Sequence, residues 1–197
     1  MKNKLAVSAV LVAVVVFILS GGADARKAAE PEFKTPVITL EMFEVPQYDG
    51  YWYYAASVEP TRGEAGDRGA PLPLSFLFNI ENPNDRPLML ESLQMTIAFD
   101  DDFEAVTFSN QDVSWIPAGK TNQLRVTTMI TARSMLLSLL VTGGFKLKEM
   151  GVSPWDVLER WWVGVPEYSV PVSLKESVFY FVFEGQTKVV PFEAEFP

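Results

Sequence analysis

The chain has 197 residues, of which 48% are hydrophobic and 21% charged, so behind a short leader it supports one ordinary domain. Acidic residues outnumber basic ones 25 to 16, a formal charge of -9, which disfavours a nucleic-acid partner because phosphate binding needs a basic face. Neither His nor Cys occurs, and that removes Ser-His-Asp and Cys-His nucleophile systems, structural zinc, His- or Cys-ligated haem, iron–sulfur clusters and disulfides.

Lys2 and Lys4 precede Leu5 to Leu19, an apolar run interrupted only by Ser8. Ala23-x-Ala25 then presents the small residues a signal peptidase accepts, so residues 1–25 read as a secretory signal cleaved after Ala25. The rival reading is an uncleaved membrane anchor over residues 5–23, because a helix of that length covers about 28 Å against a hydrocarbon core of ~30 Å. Flanking charges do not choose between the two, since Lys2 and Lys4 are matched by Arg26 and Lys27. Either way the domain is expected outside the cytoplasm, in a periplasmic or other extracytoplasmic space. The polar run over residues 26–36 reads as a mobile linker.

Val37 to Phe43 is β-rich, with Ile38, Leu40 and Met42 on one side, and predicts a first strand. Gly50 to Val58 reads as a second extended segment, and Glu59 to Pro73, rich in Gly and Pro, as a long exposed loop that builds no core. Leu74, Phe76, Phe78 and Ile80 then alternate with Ser75, Leu77 and Asn79, the pattern of a half-buried strand. Asn82 to Pro87 is turn chemistry, and Leu93, Met95, Ile97 and Phe99 mark the next strand. Shorter candidates follow at Ala105 to Phe108 and Val113 to Ile116, and Leu124 to Ile130 alternates again. Evenly spaced short strands separated by turns predict a mainly β, antiparallel sandwich. Ala132 to Val141 predicts a short helix stopped at Gly143 or Gly144; Ser153-Pro154-Trp155-Asp156 predicts a second, with Ser as N-cap and Pro in the first turn, running to about Trp162. Val178 to Phe183 and Lys188 to Phe196 return to strand, Pro191 placing the last at an edge or a bulge.

A Phe-rich strand ending in Asn79-Ile80-Glu81-Asn82-Pro83-Asn84, then Pro87-Leu88, resembles the late-embryogenesis-abundant type 2 family, the WHy (water stress and hypersensitive response) domain. Ile116-Pro117-Ala118-Gly119, the leucines of the short helix (Leu136, Leu137, Leu139, Leu140) and Tyr180 to Gly185 before Val190-Pro191-Phe192 follow in the same order. The resemblance covers residues 37–197 and implies a fibronectin type III-like antiparallel sandwich and a non-enzymatic, stress-protective role in desiccation. Asn82, Pro83 and Asn84 are its most specific element and are expected to be structural. Two stretches, about 46–71 and 145–172, are longer than the resemblance implies and read as insertions that serve a specific contact.

Both insertions are aromatic. On a helix Trp155, Leu158 and Trp162 share one stripe, expected to pack on the sandwich, while Trp161 points elsewhere and is a candidate for a partner or membrane interface. Tyr51, Trp52 and Tyr53, flanked by Tyr48 and Tyr54, would be aromatic on both faces of a strand, one face in the core and the other against an inserted helix or a partner. Asp100 to Asp102 with Glu104 lack the spacing of a calcium loop and read as a solvated turn. No catalytic set, metal or cofactor is expected. The sequence therefore predicts an exported binding protein whose partner is another protein or a membrane surface, either a stress protectant or an accessory subunit of a membrane-associated assembly. A carboxylate-based enzyme is the third alternative.

Overall fold

The computed structural model describes residues 32–47, 70–100 and 103–196. Strands β1 (Val37–Glu44), β2 (Pro71–Glu81), β3 (Leu88–Phe99), β4 (Phe103–Asn110), β5 (Ser114–Ile116) and β6 (Thr121–Thr131) lead into helices α1 (Ala132–Val141), α2 (Gly144–Met150) and α3 (Pro154–Gly164), and the chain returns through β7 (Val172–Phe183) and β8 (Gln186–Phe196). One sheet has the order β1-β2-β6 and the other β4-β3-β7-β8, with β5 added to β3. Every pairing is antiparallel, so the fold is the mainly β sandwich the alternating strands predict, carrying three helices between β6 and β7.

The two sheets face each other through large apolar side chains. Leu74, Phe76, Phe78 and Ile80 of β2 are buried, as are Leu93, Met95, Ile97 and Phe99 of β3 and Phe179, Phe181 and Phe183 of β7. Phe78 meets Phe179 edge-on at 5.4 Å and Phe192 at 5.6 Å, a geometry that aromatic quadrupoles favour over face-to-face stacking. Glu184 and Gly185 both take positive φ in the β7–β8 hairpin, the backbone of a tight two-residue turn, and Gly at the second position removes the side-chain clash there.

Several expectations change. β1 carries a bulge between Leu40 and Met42, which reverses the parity of the strand: Phe43 is buried and Met42 is not. β2 begins at Pro71 rather than Leu74, so part of the expected loop is core: Ala70 and Leu72 are buried. β1 reaches only Ser75, so Pro71 and Pro73 have β6 as their one described ladder neighbour, where a missing N–H is tolerated. β7 starts at Val172, inside the stretch read as an insertion, and a register shift between Leu174 and Ser177 breaks its alternation. The linker is docked at its far end: the Phe33 ring packs, tilted, against Phe183 at 5.6 Å, and Pro36 is buried. Residues 1–25 and the extended segment Gly50 to Val58 lie outside the described residues. Among those described, no helix is long and apolar enough to cross a membrane.

Candidate functional site

The two ends of the sandwich are built differently. At one end the Asn82-Pro83-Asn84 turn between β2 and β3 is a buried polar hub. The Asn82 side-chain amide donates to the carbonyls of Arg86 (2.8 Å), Ile116 (3.0 Å) and Pro117 (3.3 Å), while its Oδ1 accepts from the backbone N–H (3.0 Å) and the side-chain amide (2.9 Å) of Asn84. Asn84 in turn holds the incoming chain: its Oδ1 accepts from Lys34 N–H at 2.8 Å and its amide donates to Lys34 O at 2.9 Å. Asn82 is 0% and Asn84 3% exposed, so these amides satisfy backbone groups that would otherwise be buried unpaired. The motif is thus occupied in tying three segments together, and its polar atoms face inward.

The helices close the other end. Thr131 caps α1 through a reciprocal pair with Ser134, and Ser153 caps α3, with Pro154 in its first turn. α3 is seated against both sheets at once. Trp161 packs edge-on against Phe99 (5.3 Å) and Phe103 (5.5 Å) of the β3–β4 end, and Trp162 donates from Nε1 to the carbonyl of Ala70, beside β2, at 3.2 Å. Residues 100° apart on one helix are therefore both buried, and the expectation that Trp161 faces a partner or membrane is corrected: Trp161 and Trp162 are each 0% exposed. Leu158 is buried as well, and Trp155 is half-buried against the core. Asp100, in left-handed backbone just after β3, accepts from Trp161 Nε1 and pairs with Arg160, so the first carboxylate of the acidic turn anchors α3. Asp101, Asp102, Tyr51, Trp52 and Tyr53 lie outside the described residues. Among the residues described, no group of three acidic side chains is placed to hold a metal.

What α3 covers inwardly, α1 and α2 leave uncovered outwardly. α1 buries Met135, Leu136 and Leu139, yet its solvent side is also apolar: Leu137 is 54%, Leu140 52% and Val141 77% exposed, at i, i+3 and i+4 of one stripe. Phe145, one turn away on α2, is 85% exposed. A short helix apolar on both sides is the pattern of an element covered on both sides. Elsewhere exposed apolar residues occur singly, as Met129 and Val189, or two to a segment, as Val113 with Trp115 and Met150 with Val152, and such small groups need no explanation. The α1–α2 stripe differs because four large side chains fall within nine residues of chain.

The hydroxyls interleaved in that stripe donate to nearby backbone carbonyls. Ser138 Oγ donates to the carbonyl of Glu104 at 3.2 Å, and Thr142 Oγ1 to the carbonyl of Ser138 at 2.8 Å. Gly143 brings the α1–α2 turn onto Phe103: an added Cβ would sit 3.2 Å from that ring and 3.1 Å from Leu139 O. Beside the turn lies a cleft of about 270 Å³ lined by Phe103, Glu104, Ser138, Thr142 and Lys146, in which the Lys146 ammonium stands 4.9 Å from the Phe103 ring centre. From Val113 to Lys148 the chain has no acidic residue and carries Lys120, Arg125, Arg133, Lys146 and Lys148. The sequence signal for this face is the run Ala132 to Val141, in which seven of ten residues are apolar, more than the one side the helix buries can take.

No family model and no curated protein matches the chain. Among solved structures it is similar to a protein from Archaeoglobus fulgidus at 9% identity, covering 83% of this chain and 94% of that one, with a TM-score of 0.41. It is similar to the structural-genomics target SoR45 at 8% identity, covering 84% and 88%, with a TM-score of 0.46. It is also similar to a candidate late-embryogenesis-abundant protein solved in solution, at 11% identity over 98% of this chain and 87% of that one, with a TM-score of 0.40. At such scores the likenesses assign neither a family nor a function.

Proposed function

We propose that the chain is an exported, non-enzymatic binding protein of the WHy class, and that it works by attaching through its helical cap as an accessory component at a membrane. The observation that carries this reading is the uncovered apolar stripe of Leu137, Leu140, Val141 and Phe145 on an otherwise well-packed sandwich. A protectant that diffuses freely has no use for such a face, which would drive self-association, so the attachment reading is preferred to general desiccation protection. The Asn82-Pro83-Asn84 hub supports the WHy assignment, because its amides perform the structural work that the resemblance assigns to them.

Photocrosslinking in the producing cells tests the reading. A photoreactive side chain at position 145 should give adducts well above those from the same group at Gln111, on the β4–β5 connection. Equal, background-level adducts at both positions would remove the cap as the working surface.

A further inference from the structure

We propose that the outer face of the β4-β3-β7-β8 sheet, where β7 slips against β8, binds a linear aliphatic polyamine along Glu193 and Glu195, with the Ser173 hydroxyl accepting from one of its ammonium groups. The other buried polar side chains described, Ser75, Asn82, Asn84, Thr96 and Ser177, each have a hydrogen-bond partner. Ser173, 5% exposed, is the exception: its Oγ has none among the described residues. A buried hydroxyl left unpaired costs stability, so its presence points to a group that pairs with it when bound. Val172 and Leu174 on either side of it belong to the core, so Ser173 faces the other way, out of the sandwich.

The slip shapes what lies over it. β7 sets two residues, Lys175 and Glu176, against the single Glu193 of β8, with Glu176 in left-handed backbone. Two grooves that share Glu193, of about 490 and 400 Å³, open there: Val178 and Pro191 line the first, and Ser173, Lys175 and Glu195 the second. Glu176, Glu193 and Glu195 face one cation, Lys175, and none of the three is ion-paired among the described residues. Lys175 and Glu195, beside the hydroxyl, are long flexible side chains that can part to admit a ligand.

The arrangement of the charges selects the ligand. Glu193 and Glu195 alternate with the half-buried Phe192, Ala194 and Phe196, so they project from one face, ~6.8 Å apart along the strand. A metal ion needs its oxygens converged, and no group of three acidic side chains is so placed among the described residues. A polyamine carries its charges spread along an aliphatic chain, whose methylenes suit Val178 and Pro191. The site uses no residue of the α1–α2 stripe and goes beyond the attachment reading, so either can fail without the other.

The full chain, as isolated from cells that export it, is titrated with spermidine by isothermal calorimetry at physiological salt, where general attraction to an acidic protein is screened. The expected result is saturable binding of one spermidine per chain, weakened about tenfold in Ser173→Ala and in Glu195→Gln. The unfolding midpoint of Ser173→Ala should not fall, which separates loss of a ligand contact from loss of the fold. Glu81→Gln removes the same charge from an exposed position on the other sheet and should leave the affinity unchanged. Binding without saturation, equal affinities in Glu195→Gln and Glu81→Gln, or full affinity in Ser173→Ala would each overturn the inference. Binding of an oligolysine peptide with the same dependence on Ser173 and Glu195, in a protein that does not bind spermidine, would overturn the polyamine assignment and give the site to a basic protein segment.

Discussion

Replacing Trp161 separates a core role from a surface role. The side chain is 0% exposed, meets two aromatic rings within 5.5 Å, and donates its indole N–H to Asp100. Trp161→Ala should cost about 3–5 kcal/mol, the range for removing a buried aromatic, and for a domain of this size each kcal/mol lowers Tm by about 2–4 °C. Trp161→Phe keeps most of the ring and deletes the donor. Asp100 retains Arg160, and its side chain is 19% exposed, so water partly replaces the indole N–H. The cost should lie near the lower end of the ~1.5–3 kcal/mol expected for a hydrogen bond to a charged group. Urea unfolding followed by circular dichroism gives both numbers, with the slope m unchanged if the native state is intact. A Trp161→Ala protein within about 0.5 kcal/mol of the parent would refute the burial argument and return this residue to the surface.

The hub makes a second prediction: Asn82→Asp keeps size and removes the amide that donates to three carbonyls, so thermal unfolding should show a loss of about 3 kcal/mol or more, and a loss under 0.5 kcal/mol would contradict its role. Gly164→Ala would place a Cβ 2.6 Å from Val170 Cγ2 and 2.8 Å from Ser169 Oγ, and the stiff Val side chain has little room to yield. Chemical denaturation should register about 1–3 kcal/mol of overpacking for it. Ser173 Oγ is buried with no partner among the described residues, so Ser173→Ala should leave the unfolding midpoint unchanged or raise stability by up to about 1 kcal/mol; a clear loss would mean the hydroxyl is satisfied.

Elements with one buried face were legible from alternation alone. β2, β3 and β6 declare themselves because their apolar residues fall two apart against a single core. Alternation misled wherever the backbone slips: the bulge after Leu40 exchanges Met42 for Phe43, and the shift after Leu174, beside Glu176 in left-handed backbone, hid the first half of β7. The start of β2 was obscured by Pro71 and Pro73, whose missing donors matter little where β1 no longer reaches. Local capping chemistry located α3 through Ser153 and Pro154, whereas α2, seven residues long with Gly143 at its N-cap and no side-chain cap, left no such mark. At the site, a helical wheel assumes one buried surface. α3 lies between two, so the residue judged outward was in the core, and the outward face belonged to α1, whose leucines are too many for the side it buries.

The central claim is that the α1–α2 stripe works at the surface and does not hold the fold together. Its most direct test is a Leu140→Ser, Phe145→Ser double variant, examined for unfolding midpoint and for retention in the membrane fraction of the producing cells. The account predicts stability within about 1 kcal/mol of the parent, as for exposed substitutions, with retention reduced severalfold. Undiminished retention in a variant that still folds would contradict it.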